Sequence, residues 1–176
     1  MRNALLIIDM QNAWIEEASR FEIDAMFKRI NALSERFRQQ GLPVIFIQHE
    51  TNEVLPGTRD WQMHEKLSHH ASDYVVNKTA CDSFADTSLT TLLETLGCCT
   101  LSICGLATEF CVDTSLRSAL SRGFDVIAFS DAHTTADRAH LTAESIVRHH
   151  SWIWANLALP AQRQLRVLTS TDFLAE

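Results

Sequence analysis

The sequence predicts an α/β fold: a three-layer α/β/α domain built on a doubly wound, mainly parallel six-stranded sheet. Two patterns support this prediction. Short apolar runs alternate with longer helical patterns from end to end, as crossover connections between parallel strands require. Most apolar runs lack polar alternation, which is typical of strands covered by helices on both faces. No repeat, low-complexity tract or linker divides the chain, so we expect one domain over residues 1–176.

Six short apolar runs are predicted to be strands. They are residues 3–9, 43–48, 73–78, 99–105, 124–130 and 164–170. In a doubly wound sheet we expect the spatial order 3-2-1-4-5-6, which places the first and fourth strands side by side where the order reverses. Ligands of such sheets bind at the carboxyl ends of the strands near this point.

Four longer segments carry apolar residues at helical spacing, and three of them end in a glycine. The predicted helices are 23–41, 86–97, 111–123 and 140–157. Gly41 and Gly97 end the first two, because glycine readily adopts the left-handed conformation found after a helix. Residues 49–72 contain Pro56, Gly57 and several polar side chains, which predict a long functional loop.

Composition and charge argue against several classes of protein. The chain has 15 Lys and Arg against 22 Asp and Glu, a formal net charge of −7, so it offers no basic stripe for nucleic acid. No apolar run reaches membrane-spanning length, and the first one breaks at Asp9, too early for a signal peptide. The five cysteines form no C-x-x-C pair, which favours reduced thiols over a disulfide framework. We therefore expect a cytoplasmic protein without a nucleic-acid or membrane partner.

Three reactive side chains lie at the carboxyl ends of predicted strands. Asp9 closes the first strand, Lys78 closes the third, and Cys111 follows the fourth by a short turn. Each alone has a simpler interpretation as a turn residue, a solvated surface lysine and a packing cysteine. The third strand also lies two strand spacings, roughly 9–10 Å, from the first, so Lys78 must reach inward to join the other two.

The chemistry gives these side chains complementary roles. A thiol becomes a good nucleophile as a thiolate, which a helix N-terminus and a nearby ammonium favour. With Thr108 as the N-cap, Cys111 falls in the first turn of its helix. Lys78 then lowers the thiol pKa further, and Asp9 accepts the thiol proton. Backbone N–H groups of the turn can hold the oxyanion of a tetrahedral intermediate, so the set suits acyl transfer to sulfur followed by hydrolysis.

Three stretches of the chain carry a family resemblance. LLIIDMQNAW, VVNKTACDSF and CGLATEFCVDTSLRSALSRGFDVIAFSDAHTT together resemble the isochorismatase-like cysteine hydrolases, among them nicotinamidases and N-carbamoylsarcosine amidases. The resemblance covers nearly the whole chain and implies a catalytic triad of Asp9, Lys78 and Cys111. It also implies a cis peptide between Leu106 and Ala107. In the family this bond turns the Ala107 N–H towards the substrate carbonyl, beside the Cys111 N–H, as an oxyanion hole.

Chemistry and resemblance together predict a cysteine hydrolase that cleaves a C–N bond in a small amide, ureide or carbamoyl compound. The expected route is a thioacyl-enzyme, with no cofactor. The residues expected to contact the substrate are Gln11, Trp14, Gln48, Trp61, Phe84, Leu106 and Thr108. Their aromatic rings would make a water-poor pocket, although Gln11, Trp14, Trp61 and Phe84 can equally be ordinary core residues.

The end of the second strand departs from the nicotinamidase pattern. Nicotinamidases carry an Asp-x-His metal pair there, whereas this chain has Gln48 and Glu50 at the matching positions. Because side chains alternate along a strand, His49 is expected on the opposite face and unable to substitute. Glu50 and His64 could form a divalent site with a loop ligand. Most accessible His and Glu side chains bind nothing, so no metal is predicted.

Four other interpretations stay open. They are a nicotinamidase-type amidase, an isochorismatase-type vinyl-ether hydrolase that needs no cysteine, a nucleotide-binding or regulatory module and a non-catalytic binding member of the same fold. The complete cysteine motif argues against the vinyl-ether hydrolase. The loop after the first strand lacks G-x-G-x-x-G, which argues against dinucleotide binding.

The sequence also predicts where a few further residues lie in the fold. Cys81 is expected in the pocket wall, and His133 either at the pocket rim or in a turn. Trp152 and Trp154 in the last helix favour a core or subunit contact. With the paired histidines of that helix, they lead us to expect a homodimer or a larger homo-oligomer.

Overall fold

The computed structural model describes residues 2–176 and contains one six-stranded sheet. The strands are β1 (Arg2–Ile8), β2 (Val44–His49), β3 (Tyr74–Lys78), β4 (Cys98–Leu106), β5 (Asp125–Thr134) and β6 (Leu165–Leu168). Their order is β3-β2-β1-β4-β5-β6, and every neighbouring pair is parallel. The predicted doubly wound fold and its strand order are confirmed.

Within these residues the chain also forms six α-helices and one π-helical turn. The helices are α1 (Asn12–Glu16), α2 (Ile23–Gln39), α3 (Leu89–Thr95), α4 (Asp113–Ser121), α5 (Ala143–Ala155) and α6 (Ser170–Ala175). The π-helical turn, Thr108–Val112, leads into α4. The sequence predicts neither α1 nor α6, because helices of 5 and 6 residues are too short to show a helical period. In residues 2–176 no helix combines the length and the apolar character needed to cross a bilayer.

The side chains of β1 divide the core into two layers. Leu5 and Ile7 pack with α2 on one face of the sheet, while Leu6 and Ile8 pack with α3 and α4 on the other. All four are 0 % exposed, so β1 is apolar on both faces and shows no polar alternation. Burying each such side chain stabilises the fold by about 1.5–3 kcal/mol.

The carboxyl edge of the sheet positions the candidate site. Ile8 on β1 pairs with Gly105 on β4, at the point where the strand order reverses. Asp9 and the turn that follows Leu106 therefore leave the sheet side by side. This is the edge where doubly wound sheets bind their ligands.

Candidate active site

Asp9, Lys78 and Cys111 meet at this edge. The Lys78 Nζ lies 2.9 Å from Asp9 Oδ2 and 3.1 Å from Cys111 Sγ. All three residues are buried, with exposed fractions of 3 %, 2 % and 7 %. Lys78 spans the width of β2 with its long side chain, which resolves the difficulty that β3 lies two strand spacings from β1.

Asp9 follows β1 in a left-handed backbone conformation, with φ at 53°. Its N–H donates to the Ile47 carbonyl oxygen at 2.9 Å, so the β1–β2 hydrogen bonding continues one residue past the strand. Aspartate tolerates this conformation better than most residues do. The hydrogen bond to Ile47 on β2 helps to hold this strained conformation.

Cys111 lies in the π-helical turn, not in the first turn of an α-helix. The peptide bond between Leu106 and Ala107 is cis, and the Val112 N–H donates to the Ala107 carbonyl oxygen at 3.3 Å. The Ala107 N–H has no hydrogen-bond acceptor within residues 2–176. Ala107 lines the same cavity as Cys111, so an unpaired N–H is available in the wall, as an oxyanion hole requires.

Thr108 is not the N-cap that the sequence predicts. It is fully buried inside the π-helical turn, and its Oγ1 lies 2.8 Å from His133 Nδ1. His133 Nε2 in turn lies 3.1 Å from Ser151 Oγ on α5. The Thr108 side chain therefore ties the turn to β5 and α5. His133 is buried behind the turn and does not line the cavity that holds Cys111.

The Lys78 ammonium has more acceptors than protons. Besides Asp9 and Cys111, its Nζ lies 2.7 Å from His49 Nδ1 and 3.0 Å from the Ala80 carbonyl oxygen. An ammonium has three donors, so these four partners cannot all be satisfied at once. Asp9 Oδ1, by contrast, is buried and has no hydrogen-bond partner in the described part of the chain. It is the vacant acceptor of the site.

Burial raises the pKa of both acids in the site. For Asp9, burial raises the pKa, and the charge of Lys78 offsets this only in part. For the Cys111 thiol, burial and then the Asp9 carboxylate raise the pKa, while Lys78 opposes them. Because one ammonium balances only one negative charge, the site favours ionisation of one of the two acids over ionisation of both. Burial therefore opposes the predicted thiolate, although Lys78 acts in the predicted direction.

A cavity of about 250 Å³ adjoins the triad. It is lined by Asp9, Trp14, Glu17, Arg20, His49, Cys81, Leu106, Ala107, Phe110, Cys111 and Arg138. Trp14 and Leu106, two of the predicted contact residues, lie in this wall, and so does Cys81. The sequence reasoning missed five lining residues, which are Glu17, Arg20, His49, Phe110 and Arg138.

The other predicted contact residues lie outside the cavity wall. They are Gln11, Gln48, Trp61, Phe84 and Thr108. Phe84 is 4 % exposed and stacks on Phe124, with ring centroids 5.9 Å apart, so it belongs to the core. The Trp61 indole nitrogen is buried without a partner among the described residues. These side chains pack in the core or support the site from behind, and none of them lines the cavity.

Two buried glutamines hold the long loop against the end of β2. Gln11 Oε1 accepts from the His49 N–H at 2.7 Å, and its Nε2 donates to the carbonyl oxygens of His49 and Trp61 at 3.0 and 2.9 Å. Gln48 Nε2 donates to the same Trp61 carbonyl at 2.8 Å. Side-chain amides thus replace strand pairing here, and they fix the backbone of His49.

His49 lies on the face opposite to the one predicted. The register of β2 and β3 pairs His49 with Lys78, and directly paired residues project to the same side of a sheet. Side chains do alternate along β2, but Gln48 is not the residue that faces the site. Gln48 is 1 % exposed and bonds the loop instead, which leaves His49 on the site side.

The residues do not form the metal site that was considered. Glu50 lines a separate cavity, and the His64 ring stacks on Phe27 with centroids 4.7 Å apart. Within residues 2–176, the group with metal-binding side chains close together is Asp9, His49 and Cys111. The Lys78 Nζ lies 2.7–3.1 Å from an atom of each. This ammonium fills the place that an ion would need.

Known proteins resemble the chain over most of its length. The family model of the isochorismatase domain matches residues 3–170. Streptothricin hydrolase of Streptomyces noursei is 36 % identical over 141 residues, covering 76 % of this chain and 50 % of that protein. The chain therefore spans about half the length of this relative.

Two further matches cover a larger share of the protein that this chain is compared with. The secreted isochorismatase effector Isc1 of Verticillium dahliae is 31 % identical over 151 residues, covering 83 % of this chain and 80 % of that protein. A crystal structure described as an isochorismatase family protein is 36 % identical, with a TM-score of 0.87 over 95 % of this chain and 98 % of that one.

Proposed function

The chain belongs to the isochorismatase family, and on this premise we propose that it is a cysteine hydrolase cleaving a C–N bond of a small amide, ureide or carbamoyl compound. One observation carries the proposal: Lys78 Nζ contacts both Asp9 Oδ2 and Cys111 Sγ, at 2.9 and 3.1 Å, beside a cavity. A thiol, a carboxylate and an ammonium in contact supply the nucleophile, the proton acceptor and the charge balance for acyl transfer.

Acylation begins with the proton that Asp9 and Cys111 share. The vacant Asp9 Oδ1 takes the thiol proton as the sulfur attacks the substrate carbonyl carbon. The N–H groups of Ala107 and Cys111 hold the resulting oxyanion. Asp9 then returns the proton to the leaving nitrogen, the C–N bond breaks, and the acyl group stays on sulfur as a thioester.

Deacylation repeats these steps with water. The Asp9 carboxylate accepts a proton from a water molecule as its oxygen attacks the thioester carbon, and the same N–H groups hold the second oxyanion. The C–S bond breaks, and the sulfur leaves as a thiolate paired with Lys78. Proton return from Asp9 restores the thiol. Lys78 stays an ammonium throughout and balances whichever of the two acids is charged.

Two arginines in the cavity wall support a narrower substrate class. Arg20 pairs with Glu17 and Arg138 pairs with Glu109, and one terminal nitrogen of each guanidinium has no protein partner within residues 2–176. Burial lowers the pKa of Arg20, and the nearby charge of Arg138 adds to this effect. Paired guanidinium groups favour carboxylates. We expect a substrate that carries a carboxylate or a similar acceptor near the scissile bond.

A substrate screen with ammonia detection tests the proposal. The panel holds small amides, ureides and carbamates, each with and without a carboxylate. The wild-type protein, Cys111→Ala and the control Cys99→Ala are compared, because Cys99 on β4 contacts the Arg2 carbonyl oxygen on β1 and does not line the cavity. We expect turnover by the wild type and the control only, with unchanged thermal unfolding. Turnover by Cys111→Ala above the level of contamination would contradict the proposal.

The cellular compartment of the protein and its assembly into a homo-oligomer stay predictions. All five cysteines are free thiols, which supports a reducing compartment such as the cytoplasm. Trp154 is 2 % exposed and donates to Asp113 Oδ1 at 2.7 Å, so it is a core residue. Trp152 on the same helix is 63 % exposed, and it supports α5 as the surface of a homo-oligomer.

A further inference from the structure

His49 and Lys78 form a direct contact that the proposed chemistry does not use. They are register partners at the ends of β2 and β3, and His49 Nδ1 lies 2.7 Å from the Lys78 Nζ. The same Nδ1 lies 4.0 Å from Asp9 Oδ2. His49 also lines the cavity, so its ring reaches both the triad and the space that a substrate would occupy.

The structure holds the histidine in place. Gln11, which is fully buried, binds both the N–H and the carbonyl oxygen of His49. The ring meets Trp14 edge-on, with centroids 5.7 Å apart. Burial, and then the charge of Lys78, lower the pKa of His49 to about 4. The ring is therefore neutral near pH 7, and its Nδ1 can accept from the ammonium.

Lys78 has fewer N–H groups than acceptors around it, so its contact with His49 affects its contacts with the other groups. Its three N–H groups face four acceptors, namely Asp9 Oδ2, His49 Nδ1, the Ala80 carbonyl oxygen and Cys111 Sγ. A neutral thiol is the weakest acceptor of the four, so in the resting site the other three take the protons. When the sulfur becomes an anion, one N–H must turn to it from another partner.

We propose that His49 competes with Cys111 for the third N–H of Lys78 and thereby keeps the resting sulfur protonated. His49 acts through Lys78 and is a positioning residue. The inference rests on the proposed function only in taking Cys111 as the nucleophile. When a substrate draws the thiol proton to Asp9, one Lys78 N–H swings from His49 Nδ1 to the sulfur. The ammonium keeps its three protons, and the only proton transferred passes from sulfur to the carboxylate.

The reactivity of the thiol tests this competition without a substrate. Iodoacetamide alkylates a thiolate much faster than a thiol, and the alkylation rate of Cys111 against pH is followed by intact mass and peptide mapping. His49→Leu and His49→Phe remove the acceptor near Lys78, His49→Asn keeps an acceptor oxygen close to the Nδ1 position, and His70→Leu is the exposed control. The titratable or charged groups near His49 and around its cavity are Asp9, Glu17, Arg20, Lys78, Cys81, Cys111 and Arg138.

The expected result is a lower apparent pKa of Cys111 in the two variants without an acceptor. Their alkylation at neutral pH should be about threefold to tenfold faster than in the wild type. His49→Asn and His70→Leu should match the wild type. If His49→Leu does not fold, His49→Phe carries the test alone. Alkylation at the wild-type rate or slower in the folded acceptor-free variants would overturn the proposal. This readout is separate from turnover, so failure of the hydrolase assignment would leave it interpretable.

Discussion

Gly105 lies directly against the backbone of Ile8, the residue before Asp9. A β-carbon at Gly105 would clash with the amide nitrogen and the carbonyl oxygen of Ile8, and φ at Gly105 is 122°. The two residues are register partners at the strand ends that lead to Asp9 and Cys111. A side chain at this position would therefore push apart the two elements that carry the site.

Gly105→Ala should destabilise the fold and impair the site. Strain at a positive φ together with a backbone clash costs about 3 kcal/mol or more. Gly97 is the matched control, because its φ is 66° but a β-carbon there would meet open space. Gly97→Ala should cost only about 1–2 kcal/mol. Urea unfolding of both variants measures the difference, and equal losses would show that the contact with Ile8 does not matter.

Lys78→Met should destabilise the protein in a pH-dependent way. Removing one partner of a buried ion pair costs about 3–5 kcal/mol, because the Asp9 carboxylate is left without its cation. Burial raises the pKa of Asp9. A group whose pKa is raised by folding contributes stability that is fully present below its unfolded-state pKa and is lost as pH rises through the folded-state value. The deficit should therefore be small in acid and grow towards neutral pH.

Unfolding free energies of the wild type and Lys78→Met, measured from about pH 4 to about pH 8, check this expectation. The double variant Asp9→Asn, Lys78→Met is the control, since it has no carboxylate to ionise. Its deficit should not grow with pH. A deficit in Lys78→Met that stays constant across the range would mean that Asp9 carries no buried charge.

His133 should make the fold sensitive to acid. Burial, and then the charge of His150, lower the pKa of His133 to about 3. Between the ordinary pKa of histidine and this value the unfolded chain binds a proton that the folded chain does not, so stability is lost as pH falls. From about pH 6.5 to about pH 4.5 the loss should be about 2–3 kcal/mol.

His133→Gln tests the acid sensitivity, and His140→Gln at an exposed position is its control. Urea unfolding at both pH values should show a smaller acid loss in His133→Gln than in the wild type, whatever the loss of the Thr108 contact costs at neutral pH. His140→Gln should retain the wild-type loss. An equal acid loss in all three proteins would contradict the assignment of a neutral, buried His133.

The sequence predicted the position of the triad because a general rule applies to it. Polar or reactive side chains at the ends of apolar strands, or in the turns that follow, mark the carboxyl edge of a parallel sheet, and Asp9, Lys78 and Cys111 all fit this pattern. The long side chain of Lys78 then accounts for the one step that strand spacing left open. The strand order followed from the same alternation of elements.

The parts that were missed depend on tertiary partners. Nothing local shows that Gln48 bonds a loop carbonyl, and this single fact decides which face His49 occupies. Thr108 has the residue type of an N-cap, but its hydroxyl is engaged by His133 from a distant strand. The burial of the sulfur was missed as well, and it has a larger effect on the pKa of Cys111 than the charge of Lys78. The relative effects of burial and of the Lys78 charge can be compared only when the burial of the site is known.

The mass of the protein during turnover tests the central claim most directly. Reactions with an active compound from the screen are quenched in acid at short times, and intact mass and peptide mapping locate any adduct. We predict an added acyl group on the peptide that contains Cys111, in the wild type and in Cys99→Ala, and none in Cys111→Ala. Turnover that proceeds without an adduct on Cys111 and persists in Cys111→Ala would contradict covalent catalysis by this thiol.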